Sequence, residues 1–179
     1  KGFTLEIEPG TIIKGERGTG SLASALIIAR GGTILAEGTP EKPIIFTSID
    51  DKITVGQNAG TNLTVDDIGL WGGVLILGYA PGSFRGDVKE VQIEGIPAGD
   101  TFGLYGGDDP EDDSGIFKYV SIRHGGALIG EGNEINGLTL GSVGNKTVID
   151  NVEVVANFDD GVEFFGGTVN ANNLLVWAQ

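Results

Sequence analysis

The sequence predicts an all-β solenoid in which each repeat forms one coil of a parallel stack. Near the beginning of the chain, Gly10-Thr11-Ile12 returns 22 positions later as Gly32-Thr33-Ile34. Near the end, two longer segments recur at a similar spacing: residues 137–140 as 161–164, and residues 151–154 as 173–176. Short β-branched runs closed by glycine, about 22 residues apart and without a helical pattern, are typical of a solenoid.

Composition and charge narrow the class of protein. The 179 residues are 40% hydrophobic, enough for one domain with a sizeable core, and we expect a single domain over 1–179. The 32 glycines follow no three-residue period, so they indicate turns and exclude collagen. The formal net charge of −14 opposes nucleic acid and anionic lipid surfaces as partners. No segment approaches the roughly 20 apolar residues of a membrane span.

The coils can be followed along the chain by their apolar runs. The predicted strands lie in 5–7, 11–13, 25–28, 33–35, 43–47, 71–77 and 117–122, and the stack continues from there to the end. Loop excursions are expected at about 50–70, 79–88 and 97–115, with a strand at Val91–Ile93 between the last two. Because insertions in solenoids often emerge together on a binding face, we expect the three excursions to share one face.

One turn position is expected to repeat within the coils. Tyr119, Asn151 and Asn173 each precede an apolar pair. Asparagine tolerates left-handed backbone and bonds neighbouring amides, so these residues predict a turn ladder with a structural role.

Several long segments resemble a family of bacterial secreted, cell-surface proteins. They are 25–32, 43–48, Trp71-Gly72-Gly73, 119–126, 132–140 and 159–169. Proteins of this kind are right-handed parallel β-helices of the pectin-lyase-like superfamily, and right-handedness is also the general preference of parallel crossovers. The resemblance implies an extracellular or outer cell-surface location. It supplies no activity, since the family is largely uncharacterised and the superfamily includes lyases, hydrolases and adhesins. We also expect the chain to be a fragment of a longer protein.

Acidic and basic groups suggest where an enzyme would do chemistry. Asp159 and Asp160 adjoin in a predicted turn, and Glu163 would add a third carboxylate if alternation turns it outward. Paired carboxylates on one face are what a glycoside hydrolase needs. His124 is the sole histidine and the sole candidate for a histidine-dependent step. A lyase would instead use an arginine, Arg123 or Arg30, together with calcium. The alternative for the two aspartates is a solvated turn or a calcium ligand, and the alternative for His124 is a turn residue hydrogen-bonded to the backbone.

Residues 106–115 carry five carboxylates in six positions. Such a density favours cations, and we consider calcium the candidate cofactor, with Asp108, Asp109, Asp112 and Asp113 as its ligands. The spacing differs from that of an EF-hand loop, and a solvated acidic loop is the alternative.

Aromatic side chains at the excursions provide the candidate ligand-binding surface. A ring can stack on the apolar face of a sugar, so Trp71, Tyr79, Phe102 and Tyr105 are expected to form a glycan platform. The alternative is that they cover the apolar ladder of the coil.

These patterns favour a non-enzymatic extracellular or cell-surface module that presents loops to a glycan or a protein partner. Two alternatives stay open: a polysaccharide-active hydrolase or lyase, and a subunit that stacks head to tail into a filament through its coil ends.

Overall fold

The computed structural model describes residues 2–97, 99–130 and 133–179. Ala98, in the third predicted excursion, and Gly132, in one of the family-like segments, lie outside the described residues. Within these ranges the chain forms strands β1 (Thr4–Ile7), β2 (Ile12–Gly15), β3 (Leu26–Ile28), β4 (Thr33–Glu37), β5 (Ile44–Ser48), β6 (Val74–Leu77), β7 (Val91–Gln92), β8 (Leu104–Tyr105), β9 (Gly115–Arg123), β10 (Leu128–Gly130), β11 (Asn133–Glu134), β12 (Leu138–Gly141), β13 (Val148–Val155), β14 (Val162–Phe165) and β15 (Asn170–Trp177). Two 3-10 turns, Gly20–Leu22 and Thr101–Gly103, complete the elements, and no described helix is long and apolar enough to cross a membrane.

The stacked strands form three faces of a parallel β-helix, as the sequence predicts. Face A consists of β3, β6, β12 and β14, each hydrogen-bonded in parallel to the next. Face B consists of β1, β4 and the first halves of β9, β13 and β15. Face C consists of β2, β5 and the second halves of the same three long strands.

The long strands turn the corner between faces B and C at one left-handed residue each. Tyr119, Asn151 and Asn173 have φ of 48°, 53° and 53°. The predicted left-handed turn position is therefore confirmed. The side chain of Asn173 donates to Asp150 Oδ1 on the neighbouring strand, 2.9 Å away, so this amide ties one coil to the next.

The core is built of ladders of aliphatic residues that point inward at equivalent positions. On face A, Val74 and Ile76 stack on Leu138 and Leu140 with no exposed surface. Phe46 and Phe117 stack inside the coil with their ring centroids 6.0 Å apart. This arrangement buries the apolar half of each alternating strand.

The prediction that the Gly-Thr-Ile motifs at 10–12 and 32–34 occupy equivalent positions in successive coils is wrong. Ile12 lies on face C and pairs with Ile45, whereas Thr33 lies on face B and pairs with Thr4. The two Gly-Thr-Ile motifs therefore begin strands on different faces. The match near the end is confirmed, since Leu138 pairs with Val162 and Val152 pairs with Leu174.

The long connections leave the stack at two corners, so the expectation of a single insertion face is wrong. Connections 49–73 and 124–137 both run from face C to face A, and 78–114 runs from face A to face B. The strand expected at Val91–Ile93 is β7, which pairs antiparallel with β8 inside the 78–114 connection. Strands β10 and β11 form a second antiparallel pair in 124–137, where the sequence suggests few interruptions.

A second apolar cluster lies outside face A. Leu75 and Leu77 point away from the coil and pack with Ile93 and Tyr105 of the 78–114 connection and Ile135 of 124–137. The Tyr105 ring meets Phe84 and Phe165 edge-on, at centroid distances of 5.5 and 6.1 Å. Two of the connections thus cover the outer surface of face A.

Arg30 fastens the 78–114 connection to the coil. Its Nη1 donates to the Gly106 carbonyl at 2.7 Å, and its Nη2 lies 2.6 Å from Glu90 Oε2. The guanidinium also lies over the Tyr79 ring, 4.9 Å from the centroid. The buried cation therefore contacts three separate points of one connection.

Candidate functional site

A cavity with polar side chains in its lining lies on the outer surface of face C, under the 49–73 connection. Its volume is about 240 Å³. Arg123, Glu153 and Trp177 contribute to its lining from three successive coils. The 49–73 connection supplies another wall through Asp51, 58–60 and 63–65, and Val155 and the predicted catalytic residue His124 complete the lining. We call this cavity the face C groove.

Strand alternation explains why these side chains reach the groove. Val152 and Val154 point into the core, so Glu153 and Val155 point outward. Glu153 pairs in register with Ser121, while Val155 pairs with both Arg123 and Trp177. The groove is thus a direct consequence of parallel stacking.

Arg123 is held in place by the protein itself. Its Nε donates to Ser121 Oγ at 2.7 Å, and its Nη1 donates to the Asn58 carbonyl at 2.7 Å. Its Nη2 lies 3.5 Å from Glu153 Oε2, which also accepts a 2.6 Å hydrogen bond from Ser121 Oγ. The guanidinium therefore joins the 49–73 connection to two coils.

Asp51 forms a buried, fully oriented carboxylate at the base of the connection. Its Oδ2 accepts from Thr47 Oγ1 at 2.9 Å, and its Oδ1 accepts from the Ile53 backbone N–H at 2.9 Å. A Cβ at Gly60 would lie 1.9 Å from Asp51 Oδ1, so the connection can pass this carboxylate only with glycine at position 60.

His124 is buried at the corner after face C, with φ of 60°. Its Nδ1 lies 2.7 Å from the Asp67 carbonyl, and its own carbonyl accepts from the Leu70 N–H at 2.9 Å. The indole Nε1 of Trp71 donates to the neighbouring Arg123 carbonyl at 2.7 Å. The candidate catalytic histidine thus anchors the 49–73 connection at this corner.

The predicted acidic group lies next to the outer surface of face A. Asn157 Nδ2 donates to the backbone carbonyls of Asp159 and Asp160, at 2.8 and 2.9 Å. Glu163 pairs in register with Thr139, whose neighbours Leu138 and Leu140 point inward, so Glu163 projects outward as the alternation suggests. Asn136 Nδ2 donates to Glu163 Oε2 at 2.5 Å.

Burial and like charge act together on this group. Burial raises the pKa of Glu163, and the negative charges of Asp160 and Asp159 raise it further, against the hydrogen bond from Asn136. Burial also raises the pKa of Glu94, which in addition feels Glu163, Asp159 and Glu134. Sequence reasoning missed Glu94 and Glu134, since both arrive on connections whose paths a repeat pattern does not predict.

The aspartates of the acidic segment 108–113 contact separate partners and do not converge on one point. Asp108 pairs with Lys89 at 2.5 Å, Asp109 Oδ1 accepts from the Glu111 N–H, and Asp113 Oδ1 accepts from the Gly115 N–H. Asp112 is buried, and this burial raises its pKa although Ser114 Oγ donates to it at 3.1 Å. Within 2–97, 99–130 and 133–179, no three His, Cys, Asp or Glu side chains are placed to hold a metal ion.

The four aromatic residues expected to bind a glycan do not share a surface. Trp71 and Tyr105 are 2% and 6% exposed, so neither can serve as a stacking platform for a ligand. Tyr79 packs under Arg30, and Phe102 alone is strongly exposed, at 64%. Sequence reasoning missed Trp177, which is 47% exposed and lines the face C groove. Its alignment with Val155 in the repeat is the signal that indicates its outward direction.

The fold defines a class, the parallel β-helix proteins with long connections on their outer surfaces. Within that class, the chain belongs to the pectate-lyase-like beta helix family, whose model matches residues 1–179. Comparison with curated proteins and with solved structures gave no match.

Proposed function

We propose that this protein is an extracellular or cell-surface module that binds a glycan without cleaving it. The face C groove is the observation that carries the proposal, because it joins a half-exposed tryptophan to fixed polar groups in one cavity. Aromatic rings and a few oriented polar groups are the usual components of a sugar site.

The groove suits a neutral sugar better than an anionic one. The Nε, Nη1 and Nη2 groups of Arg123 already face Ser121, Asn58 and Glu153. The Glu153 carboxylate lines the groove and offers an acceptor, which matches the hydroxyl donors of a sugar. The net charge of −14 adds a general repulsion for polyuronates.

The test is a screen on immobilised neutral and acidic glycans, followed by calorimetry with the best neutral ligand. Trp177→Ala should weaken binding by about tenfold or more, since stacked aromatics dominate such contacts. Phe102→Ala is the matched control, because it removes an exposed ring that is not part of the groove lining. Selective binding of acidic glycans, absence of binding to every glycan, or equal loss in both variants would contradict the proposal.

A hydrolase remains the second candidate, and the acidic group beside face A favours it. A carboxyl with a raised pKa next to ionised carboxylates is the arrangement of a general acid and its partner. Here Glu163 would be the acid and Asp159 or Asp160 the base. Release of reducing ends from a polysaccharide panel, abolished by Glu163→Gln, would support this candidate over simple binding. A lyase is less well supported, because Arg123 is engaged by three protein groups.

Calcium stays a prediction for Asp108, Asp109, Asp112 and Asp113. Its check is the thermal midpoint with calcium and with chelator, which a bound ion would separate.

A further inference from the structure

The side chain of Asn136 presents an unusual buried acceptor. The residue is 1% exposed, and its Oδ1 has no hydrogen-bond partner among the described residues. Its backbone is held against the coil, since a Cβ on Gly73 would lie 2.1 Å from the Asn136 carbonyl oxygen. A buried amide oxygen without a donor destabilises the folded protein, so a hydrogen-bond donor to this oxygen would stabilise it.

The contact made by the amide nitrogen of Asn136 indicates which side chain can supply that donor. Asn136 Nδ2 donates to Glu163 Oε2 at 2.5 Å. A carboxyl group that accepts from an amide N–H through one oxygen can donate to the amide oxygen through the other, provided that it carries a proton. The ionised carboxylate has no proton to donate.

The charges around Glu163 also favour protonation. In the described part of the chain, Asp160 and Asp159 raise the pKa of Glu163, while Glu94 feels Glu163, Asp159 and Glu134, and Tyr105 feels Glu94 and Glu163. These groups come from three parts of the chain: the corner before β14, the connection 78–114 with its strand β8, and β11 of the connection 124–137. The elements are in contact, because a Cβ on Gly95 would lie 1.7 Å from Ile129 Cδ1. Each additional negative charge makes an ionised Glu163 less favourable.

We propose that Glu163 and Asn136 form a proton-binding pair in which the protonated carboxyl donates to Asn136 Oδ1 while accepting from Asn136 Nδ2. The proton comes from solvent and completes the hydrogen bonds of both side chains. The pair joins β14 to the 124–137 connection, and Glu94 of the 78–114 connection feels its charge. The docking of both connections on face A is therefore sensitive to pH.

The direction of the effect follows from proton linkage. The folded-state pKa of Glu163 lies above its ordinary value of 4.5. Stability from the protonated pair is therefore fully present below pH 4.5 and is lost as the pH rises through the folded-state pKa.

The first test is a carbon-13 NMR titration of the glutamate carboxyls in the wild-type chain and in Asn136→Ala. If Asn136 acted only as a donor to the carboxylate, its removal would raise the pKa of Glu163. The pair predicts the opposite, a decrease of about one unit, because the acceptor for the acidic proton is gone. A wild-type Glu163 that titrates at or below 4.5, or a rise in the variant, would overturn the proposal.

The second test does not depend on the folding of Asn136→Ala. Glu163→Gln reproduces the protonated state, since its amide can donate to Asn136 Oδ1 at every pH. Its thermal midpoint should exceed that of the wild type at about pH 8, and the advantage should vanish near pH 4.5. Glu94→Gln is the control, because it removes a charge from the same site without completing the pair, and its gain should be smaller. An equal gain in thermal midpoint for both variants would show that the effect is only relief of charge repulsion, and it would overturn the proposal of a proton-binding pair.

Discussion

Faces A and C use their outer surfaces in opposite ways. Outside face A, Leu75 and Leu77 pack under two connections to form a second apolar cluster. Outside face C, the connection 49–73 encloses polar side chains and a cavity of about 240 Å³. The same alternating strand geometry therefore supports a core on one face and a groove on the other. The chemistry of the outward residues decides which one forms, apolar leucines on face A and Ser121, Arg123 and Glu153 on face C.

The largest expected effect is on the covered face. Tyr105→Ala should lower the free energy of unfolding by about 3–5 kcal/mol, since the ring is buried between Phe84 and Phe165. Urea unfolding measures this loss. Phe102→Ala, at 64% exposure, should stay within about 0.5 kcal/mol of the wild type. Equal losses would mean that the connection does not form a core with face A.

The next effect concerns the attachment of the 78–114 connection. Arg30→Met removes the contacts to Gly106 and Glu90 and should cost about 1–3 kcal/mol. Hydrogen exchange should rise in 78–114 and stay unchanged in 49–73. Lys89→Met is the control, since its pair with Asp108 is exposed on both sides. Exchange that rises equally in the control would show that Arg30 is not the fastening point.

A smaller effect is expected for the groove itself. Arg123→Met should cost about 1–2 kcal/mol and increase hydrogen exchange around Asn58, because the Nη1 contact to this carbonyl is lost. Arg17→Met is the control, since it removes an exposed pair with Asp50 at the start of the same connection and should leave exchange at Asn58 unchanged. If residues 49–73 exchanged as slowly in Arg123→Met as in the wild type, the apolar contacts of this connection would be sufficient to hold it against the coil, and the role given to Arg123 would be wrong.

The smallest expected effect on stability is that of Glu153→Gln, a substitution in the lining of the face C groove. Glu153→Gln keeps the shape of the groove and an acceptor for Ser121, so the unfolding free energy should change by less than about 0.5 kcal/mol. Glycan affinity should nevertheless fall, since a carboxylate acceptor is lost. A large loss of stability with unchanged affinity would assign the ion pair to folding and remove it from the ligand site.

Sequence reasoning succeeded where a residue's role depends on its own coil. The parallel stack, the match of Leu138 with Val162 and the left-handed turns at Asn151 and Asn173 all follow from local patterns that recur. The Gly-Thr-Ile motif misled, because it marks the start of a strand on any face. The motif therefore indicates that a strand begins, but it does not indicate the face to which the strand belongs.

The candidate site was harder to predict, for a physical reason. Parallel pairing through Val155 aligns Arg123 with Trp177, but Asp51 reaches them on the 49–73 connection, whose path the repeat does not predict. Trp71 and Tyr105 show the converse. Both are aromatic and adjoin an excursion, yet both are buried, because a connection that folds back on its coil must bury an apolar surface of its own.

The single-residue turns at Tyr119, Asn151 and Asn173 limit where the protein can accept new sequence. No loop separates faces B and C in these three coils, since the strand continues through the corner. A peptide grafted there would break the hydrogen bonds of two neighbouring strands. The corners that already carry 49–73, 78–114 and 124–137 tolerate long excursions while the stack stays in register. For protein engineers, these two corners are the places to attach new loops. The corner between faces B and C in the three coils should be left unchanged.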